Sequence, residues 1–250
     1  MAGTRRLYEQ LAQALAAQIA AGQPRVGDRL PSERVLAQTF AVSRPTVREA
    51  VLALELDGLV EVRMGSGVYV RARQPEGGAA GETDIGPFEL LEARQAIEGE
   101  ACAMAARRIT SDTIRLLRAL VEEMENENPH DVIMSEDADR RFHIAIAEAT
   151  GNSAMSQAVR ALWDARDRSP QTRLLSQKGR AAGVKPCIHE HASIVDALAT
   201  GDPAAATAAM RDHLTRVMAT LLDATETEAM EEARARIAEQ RKRYMAETRG

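Results

Sequence analysis

Apolar and polar residues alternate at a period of two in one short region of this chain. Leu59-Val60-Glu61-Val62-Arg63 and Val68-Tyr69-Val70-Arg71 flank Met64-Gly65-Ser66-Gly67, the pattern of a two-stranded hairpin. The rest of the patterned sequence repeats at three and four residues, which predicts a mostly α protein built around that hairpin. Three helical patterns precede it. Leu7, Leu11, Leu15 and Ile19 recur every four residues, up to Ala21-Gly22. Pro31-Ser32-Glu33 opens a second helix with Val35, Leu36 and Phe40. After Ala41-Val42-Ser43, Pro45 falls in the first turn of a third, where its missing N–H costs nothing, and Val47, Ala50, Val51 and Leu54 form its buried stripe. Helix, helix, tight turn, helix and hairpin make a winged helix-turn-helix.

A seam follows. Residues 74–86, QPEGGAAGETDIG, are rich in Gly and acidic residues without periodicity, as a linker is. The expected organisation is a winged helix-turn-helix over residues 1–73, a linker over 74–86, an all-α antiparallel bundle over 87–224 and a charged tail over 225–250. Helical patterns run from Phe88 to Arg108, from Thr110 through Val121, from Ser135 to Ala149, from Met155 to Asp167, from Pro186 to Ala199 and from Ala204 to Leu222. Residues 169–184 are less periodic and leave room for one more helix. Net charge is −5, but it is divided unevenly. The first 73 residues hold ten Arg and seven acidic residues, against 22 basic and 30 acidic in the remainder. A basic front on an acidic body suits a nucleic-acid module joined to something else. Three Phe, three Tyr and one Trp are too few for stacking on single strands, so the expected partner is a duplex. The opening MAGTRRLYEQ has no apolar core, no run of about 18 apolar residues follows, and two cysteines make no disulfide framework. A cytoplasmic protein without a membrane span is expected.

Residues 31–51, PSERVLAQTFAVSRPTVREAV, with the wing VEVRMGSGVYV, resemble the DNA-binding domain of GntR-family transcription factors over residues 5–71. A recognition helix lays its N-terminal residues against base edges, where Arg reads guanine bidentately. Arg44 and Arg48 stand one turn apart there, and Thr46 can donate to a phosphate. The resemblance implies DNA contacts by Arg34, Arg44, Thr46, Arg48 and the wing-tip Gly65, made by a homodimer on a near-palindromic operator. The competing reading pairs these arginines with Glu33, Glu49 or Glu55.

Asp139 and His143 are four residues apart and share a helix face. His191 lies ten residues before the break at Gly201 and His213 twelve after it, so two antiparallel helices hold both imidazoles at nearly equal depth. One carboxylate and three imidazoles suit a divalent transition metal, zinc first, with nickel or manganese as alternatives. Residues 88–222 resemble the metal-binding form of the FCD domain, the ligand-sensing partner in the FadR branch of that family. That resemblance implies Arg94 as the partner of an effector carboxylate, and Asn152 as a further pocket residue. Residues 88–94 and 162–170 are most similar to hexuronate-utilisation repressors, while residues 171–188 match them poorly. The implied function is repression of a sugar-acid operon relieved by a small carboxylate. Lactate, pyruvate, glycolate and gluconate sensing remain open, with Arg166 and Arg168 as candidate donors to a sugar acid. A mononuclear metallohydrolase using the same four residues is the rival of another class, and has no use for residues 1–71. A purely structural metal is a third reading.

Overall fold

The computed structural model describes residues 6–63, 66–75, 85–127, 132–184 and 187–224. They form two compact units, one before residue 76 and one spanning Ile85–Ala224. The charged tail and the acidic loop with His130 lie outside the described residues.

In the front unit, α1 (Leu7–Ala20) buries Tyr8, Leu11, Leu15 and Ile19. The stripe therefore differs at its first position from the repeat of fours, because Leu7 is 62% exposed. Four residues overshoot a turn by about 40°, so a run of fours drifts off its starting face, whereas Tyr8 falls within the arc of the other three. α2 (Glu33–Phe40) and α3 (Arg44–Leu56) start on serine caps: Ser32 accepts from Val35 N at 3.4 Å and Ser43 from Thr46 N at 3.2 Å. Between them Ala41 takes φ 54°, the left-handed conformation that ends α2 and lets the chain turn into α3. The wing is β1 (Val60–Arg63) paired antiparallel with β2 (Gly67–Val70), Val60 opposite Val70 and Arg63 opposite Gly67. Leu30, Leu36, Val47, Ala50, Val51, Leu54, Leu59, Val68 and Val70 close one core with the α1 stripe.

The second unit is seven helices: α4 (Pro87–Ala106), α5 (Ser111–Glu127), α6 (Val132–Ala149), α7 (Ser153–Arg168), α8 (Pro170–Ala181), α9 (Ile188–Ala199) and α10 (Pro203–Ala224). α4 packs against α6, α7, α8, α9 and α10. That encirclement explains why even its Arg94 and Glu98 are buried, while Glu89, Glu92 and Glu100 keep a narrow exposed face. Gly201 at φ 72° makes the sharp return between α9 and α10 expected at Gly201-Asp202-Pro203. α8 occupies the weakly periodic stretch. Ser169 caps it, Pro170 stands in its first turn, and Leu175 is buried. The bundle thus brings α4, α6, α9 and α10 around a common interior.

Candidate functional site

Asp139, His143, His191 and His213 converge: one ligand atom from each lies within 4.8 Å of the others. α6 supplies the first two from adjacent turns, and the α9–α10 hairpin supplies the two histidines at matching depth, with ring centroids 4.5 Å apart. Asp139 Oδ1 is 2.7 Å from His191 Nε2 and 3.3 Å from His143 Nε2. Each imidazole turns its other nitrogen toward an oxygen. His191 Nδ1 is 3.0 Å from the carbonyl of Cys187, His213 Nδ1 is 2.8 Å from Glu190 Oε2, and His143 Nδ1 lies against Glu98. Oxygens behind the ring nitrogens are how metal-binding histidines are held in one tautomer and orientation.

The electrostatics suit a cation. Burial opposes ionisation of Asp139, but the neighbouring His143 and His191 rings outweigh it and hold the carboxyl well below its usual range. Burial likewise opposes the charge on Glu98, and Arg94 and His143 outweigh it, bringing its pKa to about 2. His213 is pushed down to about 4 by burial, with His191 and His143 adding to the effect against Glu190. It is therefore neutral near pH 7, the form that ligates. His143 goes the other way: burial disfavours its charge, but the Glu98 and Asp139 carboxylates prevail and raise its pKa. Both His143 ring nitrogens are buried without an aligned hydrogen bond. A buried polar atom in that condition costs about 1–3 kcal/mol, and a cation beside Nε2 would remove the cost there. The donor set, three imidazoles and a carboxylate with fixed oxygens behind the rings, fits a divalent transition metal.

A cavity of about 140 Å³ opens onto this cluster, with Asp139, His191 and His213 in its wall. Arg94 is also in the wall. Its Nε donates to Glu98 Oε1 at 2.7 Å and its guanidinium lies 4.0 Å from the centre of the Trp163 ring. The Arg94–Glu98 pair is buried, with Arg94 only 4% exposed. Arg166 lines the cavity as well, whereas Arg168 is exposed and is not among its lining residues. Asn152 departs from expectation. Its exposed side chain accepts from Ala154 N and Met155 N as the cap of α7, and it is not part of the cavity wall. The resemblance implied a pocket residue; in this structure the side chain serves as a helix cap. Glu98, Glu136, Glu190, Arg180 and Arg216 belong to the site and were missed. Glu190 holds His213 and, at 2.5 Å, Arg216 Nε.

In the front unit Arg34 and Arg44 are exposed on α2 and at the start of α3, and Thr46 is half-buried in the first turn of α3, its hydroxyl 2.8 Å from that of Ser43. Arg48 differs from them. It is 4% exposed, and its guanidinium donates to both oxygens of Glu33, at 3.0 and 2.5 Å. Arg44 stands 3.7 Å from the same carboxylate. Gly65 lies outside the described residues.

A family model described as bacterial regulatory proteins, gntR family, matches residues 7–70, and one of the FCD domain matches residues 89–216. The chain is 40% identical over 221 residues to the Exu regulon transcriptional regulator of Escherichia coli (strain K12), covering 86% of this chain and 84% of that protein. It is 38% identical over 206 residues to the Uxu operon transcriptional regulator of the same strain, covering 79% of each. It is 35% identical over 230 residues to the Uxu operon regulator of Haemophilus influenzae, covering 89% of this chain and 85% of that protein.

Proposed function

Because the chain belongs to the gntR family of bacterial regulatory proteins and carries an FCD domain, we propose that it is a cytoplasmic homodimeric repressor of hexuronate catabolism, released from its operator by a sugar acid bound in the bundle. It is a DNA-binding transcriptional regulator, and the metallohydrolase reading falls with its relatives, which are transcriptional regulators. The observation that carries the effector half of the proposal is the cluster of Asp139, His143, His191 and His213, three of which, Asp139, His191 and His213, line a cavity that also presents Arg94.

A divalent transition metal held by those four residues, zinc first and nickel or manganese next, would supply Lewis-acid coordination for an oxygen of the effector. The chain's own groups do the rest. Arg94, clamped by Glu98 and the Trp163 face, presents its terminal nitrogens to the effector carboxylate in a fixed plane, which suits bidentate recognition. Glu190 and the Cys187 carbonyl keep His213 and His191 turned inward. In the DNA-binding unit Arg34, Arg44, Thr46, Arg48 and Gly65 contact the operator, and Arg48, paired with Glu33, also holds α2 against α3. The effector then binds more tightly to the DNA-free protein, by the factor with which it weakens operator binding.

The test is a footprint on upstream DNA of uronate-catabolic genes with the metal-loaded protein. The expected result is a near-palindromic protected site covered by a sedimenting dimer and lost on adding glucuronate or galacturonate. Protection unchanged by any sugar acid would overturn the effector reading, and a monomer on a single half-site would overturn the dimer.

A further inference from the structure

One carboxylate in the cavity wall holds two arginines from different helices. Glu136 on α6 accepts from Arg180 Nη1 on α8 at 3.1 and 3.2 Å, and lies 3.7 Å from Arg166 Nη2 on α7. The Arg166 guanidinium sits 5.2 Å from the centre of the Trp163 ring, the ring that also carries Arg94. All three side chains are partly buried, and all three line the cavity. The metal cluster has no use for them, since its ligands and the oxygens behind them are complete without this group.

The composition of the group decides what it can bind. Arg166 also pairs with Asp167 at 3.3 Å, so charge is close to balanced, and what the group offers is guanidinium N–H donors next to carboxylate lone pairs. A hydroxyl donates one hydrogen bond and accepts others, so a wall offering both suits adjacent hydroxyls and gives nothing to a methyl group. Position adds a length criterion. Glu136 precedes Asp139 by three residues on α6, so it shares that face about 4.5 Å along the axis. With carbon–carbon bonds of about 1.5 Å, a three-carbon acid held by Arg94 and the metal cluster ends before the group, whereas a six-carbon acid spans the turn.

We propose that Glu136, Arg166 and Arg180 form a hydroxyl-reading subsite that selects polyhydroxylated acids over short hydroxy and keto acids. This rests on the reading of the cavity as the effector site. The three residues are then specificity determinants, distinct from the groups that anchor the carboxylate. α8, which also lines the cavity with Thr172, Leu175 and Ser176, brings Arg180 to the wall.

The experiment is calorimetric titration of the metal-loaded full chain with glucuronate, galacturonate and lactate, for the wild type, Glu136→Gln and Arg180→Met. Circular dichroism and metal content serve as controls on the fold and the cluster, and Glu136→Gln is close enough in shape to keep the packing. The wild type is expected to bind a uronate more tightly than lactate. Each variant should weaken the uronate by about tenfold or more, the usual effect of losing a hydrogen bond to a charged group. Lactate affinity and metal content should stay unchanged. Variants that bind the uronate as wild type does would overturn the subsite and leave the effector reading standing. Equal weakening of uronate and lactate would also overturn it, by making the residues structural. A wild type that binds lactate and no uronate would overturn both.

Discussion

Replacing Arg48 by Ala separates a residue that reads DNA from one that first holds the reading helix in place. Its guanidinium is 4% exposed and makes two hydrogen bonds to Glu33, which is itself 6% exposed. Truncating one member of such a pair strands the other charge, at a typical cost of about 3–5 kcal/mol. Arg44, 3.7 Å from the same carboxylate, can take over part of the compensation, so the lower end of that range applies, about 3 kcal/mol. For a winged domain of this size each kcal/mol moves the midpoint by about 4–8 °C, giving about 12–24 °C for the front unit. Amide hydrogen exchange of α2 and α3 isolates this unit from the bundle, and should show the loss of protection there with the bundle unchanged. Arg44→Ala, whose side chain is 46% exposed, should leave protection intact and weaken operator binding by about 1–3 kcal/mol per half-site. Glu33→Gln combined with Arg48→Met should recover most of the stability and none of the affinity. If Arg48→Ala kept wild-type protection in α2 and α3 while losing the operator, the ion pair would be incidental and Arg48 a base reader only.

Three further outcomes follow from other parts of the molecule. Glu190→Gln should weaken metal binding by about 10–100-fold, measured by competition with a chromophoric chelator, because it releases the ring of His213; unchanged affinity would remove Glu190 from the site. Asn152→Ala should cost about 1 kcal/mol in urea denaturation as a lost cap and leave effector affinity alone, whereas a loss of effector binding would return Asn152 to the pocket. Ala41→Gly should stabilise the front unit by about 0.5–1 kcal/mol, since a left-handed residue is relieved of its Cβ, and a loss of stability would contradict the turn geometry.

How much of this was legible in the sequence depended on whether a feature repeats at a known spacing. The winged helix announced itself through Ser-capped helices and an alternating hairpin, and the bundle through its three-and-four periodicity. α8 did not, because RLLSQKGRA has a single buried leucine, Leu175, and a glycine, Gly179, where a stripe would continue. His191 and His213 were found by counting residues from a turn, which works because helices rise uniformly. Glu98 and Glu190 escaped that logic. A carboxylate four residues from an arginine has the same spacing on a solvated face as in the interior, and only the helices around α4 decide which it is. Glu190 neighbours a ligand in sequence, so it points about 100° away from His191, and that direction turned out to be toward α10 and His213. Arg48 shows the same limit from the other side: its place on the recognition helix was legible, its burial against Glu33 was not.

The four-residue cluster is proposed to make this regulator responsive to its effector. That role is tested most directly by operator release in a His191→Ala, His213→Ala double variant, followed by fluorescence anisotropy at fixed salt with glucuronate or galacturonate titrated in. Circular dichroism and elemental analysis would first establish that the variant is folded and metal-free. Operator affinity close to wild type is expected, with no release at uronate concentrations that free the wild type entirely. Release at the wild-type concentration would contradict it, leaving the cluster a structural brace and placing the effector elsewhere.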